Sequence, residues 1–266
     1  MTRFEQMGTA VAQDHQEVIV RRVRLVPGGG VIFYAFVPGN YATSTVGEAR
    51  RMENRRRLVT ILWEHLRARE SSLWKRPPFS NRVAFPIQLV HDALGRPQLR
   101  LGEHQGPAIS FSTAGEEVWA ALCGDGSDIG IDVAGSAEFQ EGYPLHRVFH
   151  EQELHQALVL AGGDLARAAA LLWSIKEAVA KALGCAFHLV DPRDIHVQPS
   201  AAADDGPVFS VRLSGKARVR FPMADHRPVT VRSLPQAGTW LSIAALNWPR
   251  HRVAGLNGWE ADPRED

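Results

Sequence analysis

Two oppositely charged residues share one predicted helix, at a spacing that could do chemistry. The stretch from Trp173 to Gly184 is rich in Ala, Leu, Lys and Glu, which favour helix, and Gly184 is the residue expected at a left-handed C-cap. Glu177 and Lys181 lie four residues apart, so their side chains share one face about one turn from each other. The simpler interpretation is a surface ion pair worth about 0.3–0.5 kcal/mol. The functional interpretation requires partners elsewhere in the chain.

An aspartate interrupts an apolar strand pattern in Ile131-Asp132-Val133. On a strand its side chain points away from both neighbours and to the same side as Ala134. Strand interiors disfavour aspartate, so either this is an edge strand with Asp132 in water, or the carboxylate has a function there. The functional alternative is a ligand for a hard cation. Mg²⁺ takes one or two carboxylates and completes its shell with water and phosphate oxygens.

The elements that must position these residues alternate between strands and helices. A strand–helix–strand set occurs in each half of the chain, which predicts an α+β fold with an N-terminal half over residues 1–134, a C-terminal half over 135–250 and a frayed tail over 251–266. Predicted helices cover residues 47–69, 144–161 and 164–183. Predicted strands cover residues 18–25, 31–37, 98–101, 108–112, 117–123, 129–133, 195–197, 208–213, 229–233 and 239–246.

Composition narrows the class of protein. The 266 residues are 45% hydrophobic and 22% charged, as in soluble globular proteins, and the net charge of +1 gives no sign of nucleic acid or an anionic membrane as partner. Two cysteines are too few for a disulfide framework or a zinc site, which favours a reducing cytoplasm. We also expect no signal peptide, no membrane helix and a monomer.

Three blocks of the sequence resemble the surfactin-type 4′-phosphopantetheinyl transferases, in the order and at the spacing of that family. Two further segments, around Glu153 and over residues 240–246, resemble its phenylalanine-rich segment and its closing strand, so the resemblance covers about residues 45–247. The three blocks are Gly95-Arg96-Pro97 leading to residues 109–115, Gly130-Ile131-Asp132-Val133, and the Trp173–Gly184 stretch.

The resemblance implies a fold of two similar α/β halves with coenzyme A bound in the cleft between them. It also implies a reaction, in which a serine of an acyl- or peptidyl-carrier protein attacks the β-phosphate of coenzyme A and 3′,5′-ADP leaves. Such a transfer depends on charge neutralisation and positioning more than on covalent chemistry. Whether fatty-acid, polyketide or nonribosomal peptide synthesis is served stays open.

The resemblance also assigns roles to individual residues. Asp132 and Glu177 match the Mg²⁺ carboxylates, and Glu177 would also orient or deprotonate the incoming serine. Lys181 matches the lysine that stabilises the transferring phosphate. The remaining candidates for coenzyme A contacts are Arg96, Ser112, Thr113 and Lys176.

A cluster of arginines opens the first predicted helix. Its ordinary interpretation is a solvated helix face, and the alternative is an anion site, with Arg50 as a candidate contact for coenzyme A. Carrier-protein helices are usually acidic, so Arg50, Arg51 and Arg55 are also candidates for binding the carrier.

Two positions depart from the family pattern. Thr113 stands where the family usually has a phosphate-binding histidine, and threonine brings no charge. Ala134 stands where the family has a glutamate, which removes a carboxylate from the strand face of Asp132. Two explanations remain: either Asp132, Glu177, the pyrophosphate and water suffice for Mg²⁺, or the protein is a catalytically impaired module that binds coenzyme A or a carrier protein.

Two other groups of residues give weaker indications of function. His146, His150 and His155 invite a zinc interpretation, but His150 and His155 are five residues apart and leave the common helix face that the zincin motif requires. The segment Ser110-Phe111-Ser112 lacks the Gly-x-Ser-x-Gly elbow of a serine hydrolase.

Overall fold

The computed structural model describes residues 18–25, 30–39, 45–69, 87–124, 126–140, 142–201, 206–225 and 229–246. The predicted tail over residues 251–266 lies outside the described residues. The strands are β1 (Arg21–Arg24), β2 (Val31–Val37), β3 (Ile87–His91), β4 (Pro97–Leu101), β5 (His104–Gln105), β6 (Ala108–Ala114), β7 (Glu117–Cys123), β8 (Asp128–Gly135), β9 (Ile195–Ala201), β10 (Val208–Leu213), β11 (Val229–Gln236) and β12 (Thr239–Leu246). The α-helices are α1 (Thr45–Arg69), α2 (Leu145–Val148), α3 (Glu151–Leu160), α4 (Leu165–Ala182) and α5 (Gly215–Arg220).

The first half of the chain forms an antiparallel sheet covered by one long helix. The sheet has the order β1-β2-β7-β6. Helix α1 places Leu58, Leu62 and Leu66 at helical spacing, all fully buried against one face of this sheet. A small sheet of β3, β4 and β5 adds Leu99 and Leu101 to the same core.

The second half repeats this plan with a larger sheet and a different helix. The sheet has the order β8-β12-β11-β10-β9, and every neighbouring pair is antiparallel. Helix α4 begins after Asp164, whose side chain accepts a hydrogen bond from the Arg167 N–H at 3.0 Å, and Gly184 follows its end at φ +82°. Its apolar side packs on β8 and β12.

The two sheets pack against each other through the faces that the helices leave uncovered. Ile32 and Trp119 of the first sheet share one buried cluster with Ile131, Val133 and Leu241 of the second. The order of layers is therefore α1, first sheet, second sheet, α4, which confirms the predicted α+β class.

Some predicted boundaries differ from the structure. The predicted helix over 144–161 is divided into α2 and α3, because Phe149 is extended and buried, and Glu153 caps α3 by accepting a hydrogen bond from the His150 N–H at 3.2 Å. The predicted domain boundary at residue 134 falls near the end of β8, although β8 pairs with β12 in the second sheet. Strand β3 and helix α5 lie in segments where no element was predicted.

Within the described residues, no single helix is long and apolar enough to cross a membrane. Helices α3 and α4 pass such a test by length and composition only when taken together, and they are bent by 112° relative to each other.

Candidate active site

The carboxylate of Asp132 lies at the centre of a buried polar cluster. Its side chain is on the face of β8 that α4 covers, and the residue is only 4% exposed. The Ser112 hydroxyl donates to Asp132 Oδ1 at 2.9 Å, and the Lys181 ammonium donates to the same oxygen at 2.6 Å. A carboxylate this buried requires such donors, because its desolvation is otherwise costly. Asp132 therefore lies on an edge strand of the second sheet, but its carboxylate is buried and not in water.

Ser112 reaches Asp132 because β6 and β8 run side by side where the two sheets meet. The Ile131 N–H donates to Ser110 Oγ at 3.1 Å, and the Val133 N–H donates to Ser112 Oγ at 3.2 Å. Two serine hydroxyls thus take the place of backbone carbonyls as acceptors for β8. In this structure Ser112 contacts the carboxylate itself, and its predicted contact with the nucleotide phosphates stays a prediction.

Helix α4 approaches β8 so closely that only glycine fits beneath it. A Cβ atom on Gly130 would lie 1.8 Å from the Ala178 carbonyl oxygen and 2.7 Å from the Ala182 nitrogen. The glycine of the Gly-Ile-Asp block is therefore a packing requirement. The same close approach of α4 to β8 brings Glu177 and Lys181 to Asp132.

Lys181 lies between the two carboxylates. Its ammonium group is 2.6 Å from Asp132 Oδ1 and 3.2 Å from Glu177 Oε2, and it also donates to the Ile131 carbonyl at 3.3 Å. Burial lowers the pKa of Lys181, but the charges of Asp132 and Glu177 outweigh burial and raise it. The lysine therefore stays protonated at neutral pH.

Glu177 has the most perturbed carboxyl group of the site. Burial raises its pKa, the nearby negative charge of Asp132 raises it further, and Lys181 only partly opposes them, so the pKa is about 7. A carboxyl group with a pKa near neutrality is suited to accepting a proton.

Arg96 lies at the C-terminal end of α4, beyond Lys181. Asp92 accepts a hydrogen bond from the Arg96 N–H at 2.9 Å, which fixes the turn, and the guanidinium pairs with Asp128 at the start of β8. The side chain also packs on Gly184, where a Cβ atom would lie 2.9 Å from Arg96 Nη1. Its pairing with Asp128 leaves other guanidinium N–H groups for a ligand.

Two predicted coenzyme A contacts are not brought to this cluster. Thr113 is exposed and points to the opposite side of β6 from Ser112, as alternation along a strand requires. Arg50 is exposed on α1, and among the described residues it makes no contact with Asp132, Glu177 or Lys181. Arg55 lies closer to β6: its guanidinium is 5.5 Å above the Phe111 ring, and among the described residues its buried Nε has no hydrogen-bond partner.

Lys176 has a structural role, which corrects the expectation that it could contact a phosphate. Its side chain is fully buried on the inner side of α4, where it forms an ion pair with Glu153 at 2.9 Å. It also donates to the carbonyls of Pro192 at 2.9 Å and Ile195 at 2.7 Å. All three ammonium protons therefore have acceptors within the protein. Sequence reasoning missed this pairing, although Glu153 stood in the phenylalanine-rich segment that it had singled out.

The side chains around Asp132 fit a magnesium ion that takes two carboxylates from the protein. Asp132 and Glu177 converge on one space, while Ala134, on the same strand face, is 1% exposed within the apolar core. Among the residues that the structure describes, no group of three or more His, Cys, Asp or Glu side chains is arranged to hold a metal. Two carboxylates are enough for Mg²⁺ when water and phosphate oxygens supply the other ligands.

Of the histidines that invited a zinc interpretation, His150 has other side-chain contacts. His150 Nε2 is 2.8 Å from the Arg193 carbonyl oxygen, and its ring stacks on His196 at a centroid distance of 4.6 Å. His196 Nε2 in turn lies 2.7 Å from Ser214 Oγ. The pair thus joins α3 to β9.

Solved structures that resemble this chain are smaller acyl-carrier-protein synthases. That of Helicobacter pylori, in complex with coenzyme A, is 21% identical and aligns over 44% of this chain and 96% of its own, with a TM-score of 0.33. The enzyme of Neisseria meningitidis is 17% identical and aligns over 46% of this chain and 98% of its own, with a TM-score of 0.38. That of Mycobacterium tuberculosis is 28% identical and aligns over 46% of this chain and 97% of its own, with a TM-score of 0.32. A search of curated proteins found no match.

A comparison with protein families gives a match over part of the chain. Residues 128–221 match the family model of the 4′-phosphopantetheinyl transferase superfamily. This segment runs from β8 to just beyond α5 and includes Asp132, Glu177 and Lys181. The predicted resemblance to this superfamily is therefore confirmed over residues 128–221.

Proposed function

We propose that this protein transfers 4′-phosphopantetheine from coenzyme A to a serine of an acyl- or peptidyl-carrier protein, in an Mg²⁺-dependent reaction that releases 3′,5′-ADP. The observation that carries the proposal is the convergence of Asp132, Glu177 and Lys181 within the segment that matches the superfamily. These are the groups that a phosphoryl transfer needs, namely carboxylates, a fixed ammonium group and a proton acceptor.

Glu177 and Lys181 would have separate roles in the transfer. The serine oxygen of the carrier forms a bond to the β-phosphorus of coenzyme A, and the bond from that phosphorus to the bridging oxygen of 3′,5′-ADP breaks. Glu177 would accept the serine proton, since a carboxylate held at the reacting centre can act as a general base. Lys181 would donate to the oxygens of the transferring phosphate, because its charge is secured by two carboxylates.

Asp132 and Glu177 are the residues that would hold Mg²⁺, which when bound neutralises the charge of the pyrophosphate. Ser112 keeps Asp132 oriented through the 2.9 Å hydrogen bond. Arg96, at the end of α4, would contribute a further cation to the phosphates.

Carrier recognition and cellular context form part of the same proposal. The exposed arginines Arg50 and Arg51 of α1 would contact an acidic carrier helix. We propose a cytoplasmic monomer, and both cysteines, Cys123 and Cys185, are buried and not joined in a disulfide, as a reducing compartment allows.

A second candidate function is a module that binds coenzyme A or a carrier protein without turnover. The observation that favours it is Ala134, which is buried in the apolar core where a third carboxylate would complete the strand face. Titration calorimetry separates the two functions. Binding of coenzyme A that depends on Mg²⁺ supports the transferase, whereas tight binding that is indifferent to Mg²⁺, without turnover, supports the module.

The decisive test of transfer is intact-mass spectrometry. Apo carrier proteins of the fatty-acid, polyketide and peptide classes are incubated with coenzyme A, Mg²⁺ and the protein, and a mass gain equal to the phosphopantetheine arm is expected for at least one. A reaction with excess EDTA serves as the metal control, and Lys216→Ala, on exposed α5, serves as the variant control. No mass gain with any carrier class contradicts the proposed function.

A further inference from the structure

Two histidine rings from distant parts of the chain stack on each other where α3 meets β9. His150 is the residue before α3, and His196 lies in β9. The ring centroids are 4.6 Å apart, and the ring planes are nearly parallel, at 14°. Both residues are half-buried. The transferase function proposed above gives this pair no role.

Each ring is held by a hydrogen bond at its Nε2 atom. The Arg193 carbonyl oxygen, 2.8 Å from His150 Nε2, can only accept, so this nitrogen carries a proton. His196 Nε2 lies 2.7 Å from Ser214 Oγ, a hydroxyl that can donate or accept. Two neutral rings therefore satisfy both hydrogen bonds. A second proton on the His150 ring would lie on Nδ1, and among the described residues that atom has no hydrogen-bond partner.

The stacked rings belong to a larger attachment of the α2–α3 segment, residues 145–160, to the second sheet. The Arg193 guanidinium donates to the His146 carbonyl, in α2, at 3.1 Å. Glu153, in the first turn of α3, accepts a hydrogen bond from the Val197 N–H of β9 at 2.8 Å. The rings and these two bonds connect the same elements, so a change at the rings acts on the attachment of the whole segment.

The two carboxylates that act on the pair, those of Glu153 and Asp194, are already engaged. Glu153 forms its ion pair with Lys176 at 2.9 Å, and Asp194 accepts a hydrogen bond from the Ala217 N–H at 3.3 Å. Arg212 of β10 lies directly across from the β9 histidine. A proton on either ring therefore adds a charge that these carboxylates offset only in part, and a second proton places two cations 4.6 Å apart. The charged or titratable groups on the surrounding elements are His146 on α2, Glu151 and Glu153 on α3, Lys176 on α4, Asp191, Arg193 and Asp194 before β9, Arg212 on β10 and Lys216 on α5.

The pKa of His196 agrees with this geometry. Burial lowers it, His150 and Lys176 lower it further, and Glu153 and Asp194 oppose them only in part. The folded state therefore binds this proton less tightly than an opened or unfolded state, in which the pKa is 6.5. The contribution of the ring to stability is present above pH 6.5 and is lost as the pH falls below that value.

We propose that the stacked His150–His196 pair is an acid-sensitive latch, which attaches the α2–α3 segment to β9 while both rings are neutral and weakens when the pair takes up protons. Among the described residues, neither ring contacts Asp132, Glu177 or Lys181. The inference therefore concerns a part of the molecule outside the candidate active site and does not rest on the proposed function.

Hydrogen exchange followed by mass spectrometry measures this attachment in the full chain. Exchange is compared at about pH 7.5 and about pH 5.5, after correction for the intrinsic pH dependence of amide exchange. A ring that binds its proton only in the opened state, with a pKa of 6.5, makes opening up to about 10-fold more favourable at the lower pH. Peptides from the α2–α3 segment should lose protection by up to this factor, while peptides from β6 and β7 should not. Equal corrected exchange at the two pH values overturns the proposal.

Two variants break the pair from its two sides. In His150→Asn the new residue is a favoured helix N-cap, and in His196→Phe a ring remains for stacking without a proton site. Each variant should lose most of the acid response of the α2–α3 segment. The matched control is His155→Gln, which removes an exposed histidine from α3 itself and should keep the wild-type response. A full acid response in either variant overturns the proposal, and one folded variant is enough to decide.

Proton NMR of the histidine rings tests whether the two titrations are coupled. The pKa of His196 should lie below 6.5 in the wild type and rise in His150→Asn, because a charge that opposes its protonation is removed. His155→Gln should leave the pKa of His196 unchanged. Equal values in the wild type and His150→Asn overturn the latch, since a merely structural contact would not couple the titrations. These measurements need neither coenzyme A nor a carrier protein, so their failure leaves the transferase function standing.

Discussion

Two lysines on helix α4 have the same chemistry and opposite surroundings. Lys176 faces the interior of the second half, where it is fully buried beside Glu153, whose side chain is 6% exposed. Lys181, further along the helix, faces the site between the halves; its side chain is 25% exposed and that of Glu177 is 29% exposed. Each lysine binds a carboxylate, but only Lys181 lies between two of them.

The difference lies in the balance of charges and donors. Around Lys176 one ammonium meets one carboxylate, two carbonyls take its remaining protons, and Glu153 also accepts from the Val197 N–H at 2.8 Å. Around Lys181 one ammonium meets two carboxylates, and the pKa of Glu177 rises to about 7. An ammonium group paired with one carboxylate stabilises the fold. An ammonium group shared by two carboxylates leaves an excess negative charge, which can bind a proton, a metal ion or a substrate.

The largest expected effect is a loss of stability when the ion pair between Lys176 and Glu153 is removed. Lys176→Ala should lower the free energy of unfolding by about 3–5 kcal/mol, because it leaves Glu153 charged and buried without its cation. Urea denaturation measures the loss. Lys181→Ala is the comparison variant and should lose less, because Asp132 keeps its bond from Ser112 and Glu177 can take up a proton. Equal losses in the two variants would contradict the contrast.

The next effect is a loss of activity when Lys181 is replaced. Lys181→Ala should reduce the rate of phosphopantetheine transfer about 10²–10³-fold, the usual cost of removing one fixed donor to a developing charge. Initial rates are measured by intact mass under saturating coenzyme A, with Lys216→Ala as the control. Near-wild-type turnover in Lys181→Ala would show that the ammonium group only supports structure.

A smaller effect concerns the close approach that creates the site. Gly130→Ala should cost about 1–3 kcal/mol of stability, because its Cβ would overlap the Ala178 carbonyl and push α4 away from β8. Gly135→Ala, in the same strand, is the matched control, since its Cβ would meet Thr239 Cγ2 at an ordinary 3.6 Å. Urea denaturation of both variants decides the matter, and equal stability would mean that α4 adjusts without strain.

The last effect is a pH dependence of the free energy of unfolding. The folded pKa of Glu177, about 7, lies above the ordinary value of 4.5, so the folded state binds this proton more tightly than the unfolded state. Its contribution to stability is therefore present below 4.5 and is lost as the pH rises through 7. Glu177→Gln removes this loss, so its stability relative to wild type should increase over that interval and then level off.

Unfolding in urea at several pH values measures this difference. Glu116→Gln, at an exposed turn position, provides the reference variant and should run parallel to wild type. A constant difference between Glu177→Gln and wild type would mean that Glu177 titrates as an ordinary exposed glutamate.

Most secondary structure could be predicted because its causes are local. The apolar alternation of β6, β7, β8 and β12 and the helical periodicity of α1 and α4 depend on neighbours in sequence. The missed elements were short: α5 has six residues, too few to show a period. The break between α2 and α3 was missed because it depends on Phe149 entering the core and on the Glu153 cap.

The candidate site could be predicted only where a family pattern linked distant segments. Asp132, Glu177 and Lys181 were predicted together, and the structure brings them into contact. Thr113 and Arg50 were predicted as ligands of coenzyme A, and the structure gives neither a contact with these three. Which side of β6 meets β8 depends on how the two sheets pack, and no local pattern encodes it.

By itself, the sequence determined that Glu177 and Lys181 share one helix face and that Asp132 projects from a strand, because both follow from backbone periodicity. Only the tertiary structure decided which face of α4 turns inward. That choice made Lys176 the partner of Glu153 and left Lys181 between two carboxylates. The reason is physical: an ammonium group is satisfied by whatever acceptors the packing of sheet and helix brings near it, and those acceptors lie far away in sequence.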